Sequence, residues 1–131
     1  MARSSSYRDL RIWQEGVELA LAIHRVTMIF PRHELYGLTS QMRRAAVSIS
    51  SNIAEGKGHS SDGDFGRFLF HARGSLLELQ TQIVIAKGLE YLTVEQASKL
   101  TQTTDDLGRG LNGLIQTVRG TARKLVIAKS E

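Results

Sequence analysis

The sequence predicts an all-α fold: a single domain over residues 1–131, arranged as an up-down-up-down four-helix bundle. Three observations carry that prediction. Four long segments repeat apolar residues at three- and four-residue intervals, the period of a helix stripe facing a core. One proline, Pro31, is all that interrupts them, so the chain is free to be helical almost throughout. The connections between segments are short, and short connections make neighbouring helices antiparallel.

The first helix is predicted over residues 9–30. Trp13, Val17, Ala20, His24 and Thr27 form one stripe, read as the core line, with His24 as a hydrogen-bonded core histidine. Ile12, Gly16, Leu19, Ile23, Val26 and Phe30 form a second, and the two together cover about half the circumference, more than one seam needs. Pro31 stops the helix. The second helix is predicted over residues 38–55, with Thr39 or Ser40 as a cap for the free amides of its first turn. Its buried line is Leu38, Met42, Ala45, Ile49 and Ile53, flanked by the small residues Ala46, Ser48, Ser50, Ser51 and Ala54. Gly56 and Gly58 end it.

The third helix, residues 62–89, opens at a cap from Ser61 or Asp62 and carries the heptad line Phe65, Leu69, Ala72, Leu76, Leu79, Ile83 and Ala86. Thr93-Val94-Glu95-Gln96 has the T-x-x-Q form of a capping box. It starts a fourth helix over residues 94–125, with Leu100, Thr104, Leu107, Leu111, Leu114, Val118 and Leu125 facing inward. Gly108, Gly110, Gly113 and Gly120 inside it each cost up to about 1 kcal/mol relative to alanine, which makes it the least stable of the four.

Composition excludes several classes of function. No cysteine is present, so there is no disulfide framework, thiolate zinc site or cysteine nucleophile. The four histidines His24, His33, His59 and His71 form no helical H-x-x-x-H pair, and no glutamate is followed three residues later by histidine as in di-iron bundles. Gly56-Lys57-Gly58 lacks the strand and the G-x-x-x-x-G-K-[ST] pattern of a phosphate loop. The expectation is therefore a non-enzymatic protein without cofactor or metal. With no signal-peptide pattern after Met1 and no membrane-length apolar run, a cytoplasmic location is expected.

Two surface features point to partners. Phe70, Leu77 and Val84 recur every seven residues on the third helix, roughly 130° around from its core line. Together with the surplus first-helix residues Ile12, Leu19 and Ile23, they predict a self-association surface, because large exposed apolar patches mark interfaces. The second feature is charge. In the predicted topology one end gathers Arg3, Arg8, Arg11, Lys57, Arg67, Arg119, Arg123, Lys124 and Lys129, opposed by Asp9, Glu55, Asp62, Asp64 and Glu131. The chain's whole net charge of +4 thus sits at that end. A cyclic oligomer would repeat that field on one face, a surface suited to the phosphates of RNA or DNA. No aromatic residues for base stacking are evident there, so the expected binding is nonspecific.

A resemblance covers nearly the whole chain. Phe30-Pro31, Glu34, Tyr36-Gly37-Leu38, Gln41, Arg43-Arg44-Ala45-Ala46, Ser48-Ile49, Ser51-Asn52-Ile53-Ala54-Glu55-Gly56, Gly74-Ser75-Leu76 and Glu78-Leu79 resemble the bacterial 23S rRNA-intervening sequence proteins, and Asp9-Leu10 with Trp13-Gln14 fits upstream. That resemblance implies a four-helix bundle assembling as a ring-like homopentamer. It also implies similarity to the accessory protein of diversity-generating retroelements, a basic pentamer that binds nucleic acid and a reverse transcriptase. A protein partner such as a polymerase is thus the alternative to nucleic acid. Within the shared block Asn52 is expected to bond across helices and Glu55 to pair with an arginine. One departure stands out: where the family commonly has arginine after Gly-x-Gly, this chain has His59, whose phosphate contact would depend on pH.

Overall fold

A computed structural model describes residues 6–58 and 61–130; for residue 9 and residues 121–130 the description is of the backbone alone. The described chain holds four long helices and no strand: α1 (Arg11–Thr27), α2 (Leu38–Lys57), α3 (Asp62–Gly88) and α4 (Val94–Ser130). Single 3₁₀ turns, Tyr7–Asp9 and Arg32–Glu34, precede α1 and α2. Consecutive helices pack on one another, and α1 closes the bundle against α4.

The first helix is shorter than predicted at both ends. Ser6 Oγ accepts the Arg8 amide at 3.1 Å, which commits the preceding residues to a separate turn, and Leu10 is extended. At the other end Thr27 Oγ1 donates to Ile23 O at 2.7 Å, and a tight turn carries the chain through Phe30 to Pro31. The assignment of its two stripes is also largely exchanged, although Thr27 of the expected core line is buried and Trp13 and Ala20 pack against the core. Ile12, Leu19 and Ile23, expected at an oligomer interface, lie inside the bundle at 8%, 1% and 0% exposure. His24, expected in the core, is exposed, with Nδ1 3.2 Å from Ala20 O. The physical reason is the close approach of α2. Gly16 lies on the Ile12–Leu19–Ile23 stripe, and an added Cβ there would sit 3.3 Å from Ser50 Cβ, so the backbones meet where the side chain is absent.

Helices α2 to α4 bury the lines the sequence predicts, save that Leu38 and Leu114 are half-buried, Ile115 joins the core and Leu125 lies outside the described side chains. The cap of α2 differs. Neither Thr39 nor Ser40 serves; Glu34, four residues upstream, accepts the Leu38 amide at 3.1 Å through Oε1. Ser61 caps α3 through Asp64 N at 3.1 Å. The box opening α4 is reciprocal: Gln96 N donates to Thr93 Oγ1 at 3.0 Å and Thr93 N to Gln96 Oε1 at 2.9 Å. Among the described residues no helix is long and apolar enough to cross a membrane.

Candidate nucleic-acid interface

The end of the bundle predicted to be basic is assembled by three close approaches. The 3₁₀ turn Tyr7–Asp9 packs on α1 and α2. Gly56, buried in the last turn of α2, comes so near α3 that an added Cβ would stand 2.6 Å from Phe68 Cβ. Gly66 of α3 faces Val118 of α4, whose Cγ1 would lie 3.7 Å from a Cβ there. The starts of α1 and α3 and the ends of α2 and α4 therefore share one end, as the predicted topology requires.

Of the five predicted cations whose side chains are described on this end, all but Arg11 lie over aromatic rings. Arg8 stands 5.8 Å from the Tyr7 ring centre, Lys57 5.7 Å from Phe65 and Arg67 4.6 Å from Phe68. Phe70 carries two, with the guanidinium carbons of Arg73 at 4.9 Å and Arg119 at 5.2 Å. The expectation that aromatics are not interleaved with the charges is thereby corrected. Arg73, missed from the sequence, lies one turn beyond Phe70 on α3 and is tethered by donating to Asn112 Oδ1 at 3.3 Å. Its spacing of three from Phe70 was a legible signal; the approach of Arg119 from α4 was not.

Phe70, Arg67, His71 and Arg119 line an open groove of about 370 Å³ floored by Gly63 and Gly66, with Asp62 at its edge. Two of the predicted cations have acidic partners: Arg11 Nε lies 3.0 Å from Glu15 and Arg67 3.5 Å from Asp64, both pairs solvent-exposed and therefore weak. Arg3 and His59 lie outside the described residues, as do the side chains of Arg123 and Lys124. Phe70, Leu77 and Val84 are exposed at 36%, 57% and 68%.

The block richest in resemblance forms a second surface. His24, Gln41, Arg44, Val47, Ser48, Ser75 and Glu78 border a shallow depression across α1, α2 and α3. Here Asn52 does not bond across helices: its Nδ2 donates to Ser48 O at 2.8 Å and Ser48 Oγ at 3.0 Å within α2. It is Ser48 that crosses, its hydroxyl 2.8 Å from that of Ser75 on α3. A four-residue backward reach along the helix satisfies the amide more simply than a reach to another helix. Glu55 is exposed and forms no ion pair with arginine among the described residues. Arg43 instead donates through Nε to Thr27 Oγ1 at 2.9 Å, tying α2 to the end of α1.

At the opposite end Glu34 joins the two connections. Besides capping α2, its Oε2 accepts the Tyr91 hydroxyl at 2.9 Å, and the Tyr91 ring packs on Phe30 at 5.2 Å. The Leu38 amide, and next the Tyr91 hydroxyl, hold the Glu34 carboxyl below its ordinary value. The same bond to Glu34 raises the Tyr91 phenol above its own. Among the described residues no three His, Asp or Glu side chains converge on a point that could hold a metal.

The model of the family described as 23S rRNA-intervening sequence protein matches residues 8–113 of the 131. The chain belongs to that family. This assignment bears out the resemblance, and in the fold Phe30-Pro31, Glu34 and Gly37-Leu38 form a turn whose carboxylate caps the next helix. Arg67, Phe70 and Arg73 fall within the family's matched stretch, while Arg119 lies beyond it. The fold is similar to a crystallised protein of unknown function from Bacteroides thetaiotaomicron, described as of the S23 ribosomal protein family. The TM-score is 0.72 at 21% identity, covering 79% of this chain and 97% of that one. A search of curated proteins finds no match.

Proposed function

We propose that this member of the 23S rRNA-intervening sequence family is a non-enzymatic, homo-oligomeric helical scaffold whose basic end binds nucleic-acid backbones. The observation that carries the reading is the clustering of Arg8, Lys57, Arg67 and Arg119 at one end, each beside an aromatic ring. Aromatic faces hold guanidinium groups extended without neutralising them, so their charge stays available to phosphate. Self-association, a pentameric ring by family resemblance, would set several such ends side by side and multiply the field. The exposed Leu77 and Val84 of α3, beyond Phe70 on the same line, are the surface proposed to meet a second copy, which leaves Phe70 open at the basic end.

Anisotropy with labelled polynucleotide over a salt series tests the reading. The reversals Arg67→Glu and Arg119→Glu should together weaken binding strongly and flatten the salt slope by about two. Binding that survives both reversals would remove the function from this end. Light scattering of Leu77→Glu tests the assembly surface: a smaller species than the parent is expected, and an unchanged mass would move the interface elsewhere.

A second reading, a scaffold that docks a protein partner such as a polymerase, has its own supporting observation. At the end remote from the charges Met28, Ile29, Leu35, Tyr36, Leu89 and Val94 are all exposed, Tyr36 at 93%. Apolar residues gathered in this way favour a protein partner. The two readings use opposite ends and are separable by mutation.

A further inference from the structure

We infer that the Phe70 groove is a base-stacking platform, and that the ligand at the basic end is single-stranded polynucleotide rather than duplex. This inference rests on the nucleic-acid reading above and specifies its ligand.

Phe70 sits on α3 one residue past the buried Leu69, so its ring is directed off the core line and remains 36% exposed. A lone exposed phenylalanine ordinarily loses free energy to water. Here two guanidiniums approach it, Arg73 from its own helix and Arg119 from α4. Arg73 is held by Asn112 across the α3–α4 seam, so that cation is pre-positioned. Among the described residues Arg119 makes no hydrogen bond or ion pair, and it is exposed. It is free to swing from the ring to a phosphate.

The floor of the groove is unusually bare. Nothing lies within 4 Å of where a Cβ would stand at Gly63, and at Gly66 Val118 Cγ1 alone does. A planar ligand can therefore approach the α3 backbone at the exposed Gly63, while Gly66 is buried beneath the groove. The acid lining the groove is Asp62; Asp64, two residues on in α3, is engaged with Arg67. Three guanidiniums against two carboxylates leave the local field positive, matching a phosphate chain.

A π face flanked by mobile and fixed guanidiniums is the arrangement that binds unstacked bases: the base lies on the ring or on a guanidinium plane, and a cation takes the adjoining phosphate. In a duplex the base faces are covered by their neighbours, which leaves the backbone and the groove edges for contact but no face for a ring to stack on. The platform thus adds affinity for single strands and none for duplex. Stacking accepts every base, so no sequence preference follows.

The experiment compares the intact chain with Phe70→Leu, which keeps apolar bulk but removes the π face. Probes are a short single strand and a blunt duplex of equal phosphate number, by anisotropy at fixed salt, with light scattering on both proteins. Expected is a loss of about tenfold for the single strand, with duplex affinity and mass unchanged. Equal affinity of the two proteins for the single strand overturns the platform. So does a parallel loss on both probes or a change of mass, either of which would make Phe70 a contact between copies. If the unaltered protein binds neither probe, the nucleic-acid reading itself falls; if it binds both and Phe70→Leu changes nothing, that reading stands and the platform alone fails.

Discussion

Replacing Gly56 by alanine should destabilise the bundle, although alanine is the better helix former. Gly56 is buried in the last turn of α2, where a methyl would stand 2.6 Å from Phe68 Cβ and 3.0 Å from Phe65 Cδ1. Non-bonded carbons rest at about 3.5–4.0 Å, so α3 would have to withdraw by roughly 1 Å. Phe68 Cβ is attached directly to the backbone and has no rotamer by which to step aside. Overpacking of this kind costs about 1–3 kcal/mol, against a helix-propensity gain of up to about 1 kcal/mol. The net expectation is a loss of roughly 1–2 kcal/mol. Gly113 is the internal comparison: it is exposed within α4 and nothing lies within 4 Å of an added Cβ. Alanine there should gain about 0.5–1 kcal/mol. Urea unfolding followed by circular dichroism reads both, with the Gly56→Ala midpoint below the parent and the Gly113→Ala midpoint above it at similar slope. A Gly56→Ala midpoint at or above the parent would refute the close approach that builds the basic end.

Two further predictions concern the caps. The Glu34 carboxyl is held below its ordinary value of 4.5 by the Leu38 amide and then by Tyr91, so its contribution is fully present above that pH and fades as pH falls through the lowered folded-state value. Thermal melts of Glu34→Gln and the parent should therefore differ near neutrality and converge in acid below about pH 4.5; a gap independent of pH would show that the charge is not what matters. Thr93→Ala should cost about 1 kcal/mol by opening the reciprocal box with Gln96. Gln96→Ala added to it should cost little more, and full additivity in chemical denaturation would mean that the two bonds act separately.

The periodicities of α2, α3 and α4 were legible because each of these helices has one dominant apolar stripe, and burial of that stripe is the largest favourable term available to it. The caps at Ser61 and Thr93 were legible for a similar reason: the bonding partner lies three residues away in sequence. The first helix was not, because it offers two stripes of comparable apolarity. Which one turns inward depends on whether Gly16 can meet Ser50, a contact between helices that no local pattern records. The α2 cap was misread on the same ground, since Glu34 reaches Leu38 only through the turn the chain makes after Pro31.

By itself the sequence determined the all-helical fold, the core lines of α2, α3 and α4, and the gathering of cations at one end, since each follows from spacing along the chain and from the alternation of helix direction. The tertiary structure alone decided what those cations touch. Arg119 and Phe70 are forty-nine residues apart in sequence, and their approach to 5.2 Å is set by the crossing of α3 and α4 at Gly66 and Val118. Side-chain periodicity specifies which face of a helix is buried; the company kept by the exposed face is chosen by how closely the helices pack, and in this chain glycine sets that distance.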